Sequence, residues 1–203
     1  MSGIWFTSDL HIGHATVATT RGFDDVSRHD EVLAIHWDAA VRPGDQVWVL
    51  GDICMSSRGR SDAEDRALEW ISERPGIKHL IAGNHDGCHP MHREAHKSQR
   101  RFLEVFESVQ QSGVRKIAGE RVKLSHFPFD RDHTTEIRYP EWRFLDDGGV
   151  LIHGHTHGEM QVHYSESTKS LQLHVGVDAH GLRPVPLSWV EQEITDFSEM
   201  RGR

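Results

Sequence analysis

The 203-residue sequence contains only two cysteines, Cys54 and Cys88, and neither belongs to a CxxC pair. That number excludes a disulfide framework, and the spacing gives no support to a structural zinc site built on thiolates. Long apolar runs are also missing. The longest are a few residues, far short of the roughly 20 that cross a bilayer, and Met1-Ser2-Gly3-Ile4 lacks the basic and apolar regions of a secretion signal. A cytoplasmic protein with no membrane association is expected. Positive charge is scarce, with 23 Lys+Arg against 31 Asp+Glu for a formal charge of -8. Stable nucleic-acid binding is therefore not expected, because domains that grip phosphate backbones nonspecifically carry a basic excess. Histidine is abundant: 17 residues, against 5 lysines. Many of these are expected to be solvated, but the number prompts a search for metal ligands. With 36% hydrophobic residues the chain suits one globular domain, residues 1–203, large enough to bury most of its apolar surface.

The first 86 residues alternate between strand and helix patterns. Residues 4–7, 46–50 and 77–81 read as buried strands, each running into a polar cluster. Between them, residues 30–41 and about 61–73 read as helices stopped by Pro43-Gly44 and Pro75-Gly76, the second preceded by a polar loop at 56–60. This order predicts an α/β layered fold with parallel strand pairs, whose ligands gather beyond the carboxyl ends of the strands. Phe102, Val105, Phe106 and Val109 recur at i, i+3, i+4 and i+7, predicting a helix within 92–110 whose Arg93, Lys97, Arg100 and Arg101 form a solvated or lid-like face. Further on, residues 114–117, 121–124, 150–152, 161–164 and 171–175 read as short strands. The tryptophans at 5, 37, 48, 70 and 189 read as core.

Five clusters at strand ends or tight turns carry the chemistry: Asp9-Leu10-His11, Gly51-Asp52, Gly83-Asn84-His85-Asp86, Ser125-His126 and Gly154-His155-Thr156-His157. Carboxylate, imidazole and amide oxygen suit divalent ions of borderline hardness such as Mn, Fe, Zn, Co or Ni. If the backbone stays extended, Asp9 with His11, and His155 with His157, share a face. Two ions about 3.5–4 Å apart need a ligand between them, and a carboxylate can place one oxygen on each. Asp52, alone after a glycine at a strand end, suits that bridging role, and Asn84 adds a neutral oxygen.

These five blocks, spread from Asp9 to His157, resemble the signature of the calcineurin-like metallophosphoesterase superfamily. The resemblance implies a pair of packed mixed β-sheets flanked by helices, a four-layer αββα sandwich. It further implies that Asp9, His11 and His157 bind one metal, that Asn84, His126 and His155 bind the other, and that Asp52 bridges them. His85 would be the general acid, with Asp86 placed to orient it. The protein Ser/Thr phosphatases of this superfamily continue the second block to Asp-Arg-Gly, whose arginine clamps phosphate, whereas here Ile53-Cys54-Met55-Ser56-Ser57 follows. The chain is more similar to the compact bacterial and bacteriophage members, also in Ser8-Asp9-Leu10-His11-Ile12-Gly13-His14, in Arg21-Gly22-Phe23 and in Ser125-His126-Phe127-Pro128.

The expected activity is metal-dependent hydrolysis of a phosphodiester, a small or cyclic nucleotide, with two divalent ions, Mn²⁺ foremost, and attack by a bridging hydroxide. Two divalent ions against two aspartates leave the site positive by about two, enough to hold an anion despite the acidic surface. A broad-range phosphomonoesterase, or a metal-binding scaffold of the same fold without turnover, are the competing readings; the intact His85 argues against the scaffold. His14 is a candidate contact for substrate phosphate. Arg21 is a candidate replacement clamp, its alternative being a surface salt bridge. His153 reads as structural, and His89, His92 and His96 as a solvated helix face.

Overall fold

The computed structural model describes residues 2–55 and 62–201, so the loop expected at 56–60 lies outside the described residues. The first sheet holds β1 (Ile4–Thr7), β2 (Gln46–Val49), β3 (Ile77–Ile81), β4 (Ser108–Gln110) and β10 (Val185–Pro186), in the order β10-β1-β2-β3-β4. The pairs β1-β2, β2-β3 and β3-β4 are parallel, and β10 closes the edge antiparallel to β1. The second sheet has the order β5-β6-β7-β9-β8, from β5 (Ser112–Ile117), β6 (Glu120–Ser125), β7 (Val150–His153), β8 (Val162–Ser165) and β9 (Ser170–His174). Its β6-β7 and β7-β9 pairs are parallel and its outer pairs antiparallel.

Side-chain alternation divides the interior in two. Val47 and Val49 of β2 join Leu33, Trp37, Ala67, Ile71 and Phe102 in one core, beneath α2 (Val26–Ala40), α3 (Asp62–Ser72) and α4 (Ala95–Phe102). Trp48 and Leu50 point the other way, with Phe6 and Ile81, into a second core shared with Val122, Leu124, Ile152, Leu171 and Leu173 of the opposing sheet. That second core also takes Val190, Ile194 and Phe197 of α5 (Leu187–Arg201). The two mixed sheets are thus packed face to face and flanked by helices, as expected. Among the described residues no helix is long and apolar enough to cross a membrane.

Three local expectations change. The helix expected at 30–41 begins at Val26, because the Asp25 carboxylate accepts the Ser27 N–H and caps it. The helical spacing read through 92–110 spans a change of element: α4 ends at Phe102, and Val109 lies on β4, parallel to β3. Phe102 and Phe106 are fully buried on either side of the intervening turn, so one apolar face is kept while the backbone leaves the helix. Residues 89–92 are turns rather than a helix face; His89 is buried, and the half-buried His92 donates from Nε2 to the Asn84 carbonyl at 3.0 Å. The segments α1 (Ala15–Thr20), β10 and α5 carried no sequence assignment. Of the five tryptophans expected in the core, Trp37 and Trp48 are buried, while Trp5, Trp70 and Trp189 pack partly buried against the two cores.

Phe102→Ala should lower the unfolding free energy in urea by about 3–5 kcal/mol with an unchanged m-value. A loss below about 1 kcal/mol would show that the turn after α4 does not close the first core.

Candidate metal centre

Parallel pairing puts the carboxyl ends of β1, β2 and β3 along one edge of the first sheet, where they deliver Asp9, Asp52 and Asn84. The ends of β6 and β7 deliver His126, His155 and His157 from the second sheet. The two sheets are joined at this seam. His155 N–H donates to the Asp9 carboxylate at 3.0–3.1 Å, Val177 N–H to the Ser8 carbonyl at 3.1 Å, and Ser8 bridges to Gly176. The seam is too close for side chains on its glycines. A Cβ on Gly51, which holds φ +90°, would lie 2.5 Å from the Gly83 nitrogen, and one on Gly154 would overlap the Ser8 hydroxyl.

The backbone here is not extended, contrary to the simple alternation argument. Asp9, His11, Asp52, His155 and His157 all hold positive φ, between 50° and 73°. Left-handed conformers of non-glycine residues cost about 1–3 kcal/mol each and persist only where the surroundings enforce them. The side chains still converge, through alternating handedness rather than through a regular strand.

The convergent atoms form two groups. The ligand atoms of Asp9, His11 and His157 lie within 4.8 Å of one another, as do those of Asp52, His126 and His155. His11 Nε2 faces His157 Nε2 at 3.1 Å, and His126 Nε2 faces both His155 Nδ1 at 3.2 Å and Asn84 Oδ1 at 3.1 Å. Asp52 Oδ2 stands 3.9 Å from His11 Nε2 and 3.4 Å from His126 Nε2, so one oxygen faces both groups. Its Oδ1 instead accepts the His85 N–H at 2.9 Å. The same oxygen, rather than one oxygen for each group, makes both of these approaches. The seven donor residues, from Asp9 to His157, are buried except His157, whose side chain is 27% exposed.

The donor set fits divalent cations. Edges of about 3 Å between nitrogen and oxygen donors belong to a coordination shell with bonds of about 2.1 Å. At least one of the two facing nitrogens in each imidazole pair must be unprotonated unless both repel, and buried His11 Nδ1 has no partner among the described residues. Burial holds His11 well below the usual imidazole range and takes His155 down to about 3, keeping both in the neutral form a metal requires. Burial also opposes a proton on His126, but the adjacent Asp52 carboxylate raises that imidazole to about 9; a cation at this position takes the proton's place.

Outer nitrogens are anchored. His126 Nδ1–H donates to the Leu50 carbonyl at 2.7 Å, His157 Nδ1–H to Asp178 at 3.1 Å, and His155 Nε2–H to Asp132 at 3.1 Å. Asp178, on a single 3-10 turn (Val177–His180), and Asp132, in an irregular segment, belong to none of the motifs read from the sequence. The side chain of half-buried Asp132 is itself covered between Arg138 and Arg143, and its oxygen forms a third cluster with His133 and His155. A partial signal existed for Asp178, which follows the last strand-like run.

Two assigned roles change, and a third is narrowed to one atom. Arg21 is no clamp: its guanidinium is 4% exposed and gives all five N–H groups to the protein, two to Asp178 and the rest to the Asp9 and Leu10 carbonyls and His29. It positions Asp178, and through it His157. Asp86 does not orient the His85 ring. Its carboxylate accepts the backbone N–H groups of Asp52, Ile53 and Gly83 at 2.7–3.0 Å, tying the end of β2 to the end of β3. His14 caps α1, its Nδ1 accepting the Val17 N–H at 3.2 Å, which leaves only Nε2 to meet a ligand. His85 itself is half-buried, its ring 5.8 Å from that of His11. His153 is structural as expected, donating to the Gly154 carbonyl and stacked on His174.

A family model described as calcineurin-like phosphoesterase matches residues 3–179. The gene 66 protein of Mycobacterium phage L5 is 49% identical over 89% of either chain, and that of Mycobacterium phage D29 is 43% identical over 98% of this chain and 99% of its own. The crystal structure of a protein of unknown function from Aquifex aeolicus is similar in fold, with a TM-score of 0.68 at 20% identity, covering 95% of this chain and 99% of that one.

Removing the anchor on His157 should weaken metal binding without unfolding the chain. Asp178→Asn is expected to lower Mn²⁺ affinity about 10–100-fold in calorimetric titration; wild-type affinity would disprove the anchoring role. Arg21→Ala should instead destabilise the fold by about 3–5 kcal/mol, because Asp178 loses its bidentate guanidinium and keeps only His157 as a partner. Normal stability with a raised KM would restore the clamp.

Proposed function

Because the chain belongs to the calcineurin-like phosphoesterases, a family of metal-dependent phosphoric ester hydrolases, we propose that it holds two divalent ions and hydrolyses phosphodiesters, with small or cyclic nucleotides as substrates. The observation that carries this reading is Asp52 Oδ2, one buried oxygen facing two complete donor groups. Asp9, His11 and His157 would hold one ion, and Asn84, His126 and His155 the other. When bound, the ions polarise the phosphoryl oxygens and make a hydroxide available near neutral pH, with Mn²⁺ favoured by the mixed nitrogen and oxygen donors.

The chain's own residues do the rest. Asp52 and Asp86 together set the loop after β3, since Asp52 takes the His85 N–H and Asp86 the Gly83 N–H. This places the His85 imidazole at the rim of the donor groups, where it gives its proton to the leaving oxygen. Burial lowers the affinity of His85 for that proton while Asp52 opposes the loss, and an arriving anionic phosphate favours the charged imidazole further. Preference for a diester is supported by the fate of Arg21: with its guanidinium spent inside the protein, the site lacks that clamp for a doubly charged monoester.

Metal analysis of the loaded protein should approach two ions per chain, with activity lost to chelator and restored best by Mn²⁺. Asp52→Ala should lose both ions and turnover, and Asn84→Ala mainly one ion; a stoichiometry of one in the wild type would refute the paired centre. Bis(p-nitrophenyl) phosphate should be cleaved with higher kcat/KM than p-nitrophenyl phosphate, and the reverse order across several metals would make the protein a monoesterase.

The acid role has its own signature. His85→Ala should keep its ions and lose about 10²–10⁴-fold on a nucleotide diester, whose alkoxide cannot leave unprotonated, but much less on bis(p-nitrophenyl) phosphate. Equal losses on both would assign His85 to charge stabilisation instead.

A further inference from the structure

Beside the donor groups lies a cavity of about 450 Å³, floored by Asn84 and His85 and walled by Met91, His92, Tyr139 and Trp142. Its volume falls in the range of about 300–1,000 Å³ used by small-molecule sites. Its place relative to His85 decides what enters it. A general acid must lie within hydrogen-bond reach of the oxygen it protonates, so the group attached to that oxygen occupies the space above His85. The remaining substituent on phosphorus has no such requirement.

The walls decide the chemistry. Two aromatic rings and a thioether supply flat, polarizable surface, and no lysine or arginine lines the cavity among the described residues. Apart from His85, which carries the proton to be donated, the charged lining side chain among the described residues is the carboxylate of exposed Glu141, which disfavours an anionic occupant. Tyr139 holds a left-handed backbone, φ 57° and ψ 46°, immediately before Pro140. Strain of this kind in a non-glycine residue gathers at ligand sites. Its ring packs against Phe127 at 5.5 Å, His155 at 6.2 Å and the Arg138 guanidinium at 5.4 Å, and Trp142 stands perpendicular to buried His89 at 5.1 Å. These contacts restrict both rings before a ligand arrives, which lowers the entropy cost of stacking on them.

We infer that this cavity receives an uncharged nucleoside leaving group, its heterocyclic base against Tyr139 and Trp142. The assignment rests on the phosphodiesterase reading above. In an acyclic diester, hydrolysis breaks the P–O bond to the nucleoside, the oxygen of water joins phosphorus, the proton held by His85 ends on the departing hydroxyl, and a proton of that water replaces it on His85. The product left in the cavity is neutral, in keeping with Glu141.

Two methyl phosphodiesters test this, one with adenosine and one with 1-O-methylribose on the 5′-oxygen, release of each alcohol being followed by chromatography. The Mn²⁺-loaded protein should favour the adenosine diester about tenfold in kcat/KM, the scale of one stacked base. Tyr139→Leu and Trp142→Leu, each checked for folding by circular dichroism and Tm, should lose most of that preference. A wild type without the preference, or variants that both retain it, would overturn the assignment; should one variant fail to fold, the other decides. Adenosine should also quench tryptophan fluorescence saturably, and ribose should not. If neither diester is turned over, the hydrolase reading fails, and the adenosine titration alone decides the cavity: absent binding, or binding unchanged in the folded variants, refutes it.

Discussion

A single buried carboxylate, Asp52, joins the two halves of the site. Its Oδ2 faces donors that come from both sheets, and its Oδ1 holds the loop that carries His85. A carboxylate so placed costs free energy to desolvate unless cations or N–H groups surround it. Asp86 shares that burial with the opposite outcome. Burial and the nearby charge of Asp52 push its carboxyl up to about 7, and the three backbone N–H groups it accepts are what hold it in place. One acid faces the donor groups, and the other organises the backbone that presents it.

The same economy extends outward along the seam between the sheets. Glycines at 51, 83 and 154 let three strand ends approach more closely than any side chain would permit. Five donor residues accept left-handed backbones to turn into the space so formed. The strain is balanced by hydrogen bonds across the seam and by the two cores on either side of the first sheet, which fix the strand ends independently of any ligand. Around the donors, Arg21 with Asp178, and Arg138 and Arg143 with Asp132, form charged pairs that orient His157 and His155. Positive charge that a surface reading would offer to substrate is therefore used to hold the carboxylates behind the imidazoles.

The sequence by itself determined the three parallel strands, the five donor blocks and the residues within them. These are local properties, carried by apolar runs of a few residues and by side-chain types whose coordination chemistry does not depend on the fold. The helix read across residues 92–110 failed for a related reason: Phe102, Phe106 and Val109 mark a buried face, and a turn into β4 preserves that face as well as a helix does. Only the tertiary structure decided what each charged residue is used for. Arg21 meets Asp178 across 157 positions, His155 meets Asp9 across 146, and Asp86 meets Asp52 through backbone groups that every residue possesses. Such contacts leave no periodicity or spacing in the chain, because they are set by which strand ends come together at the seam.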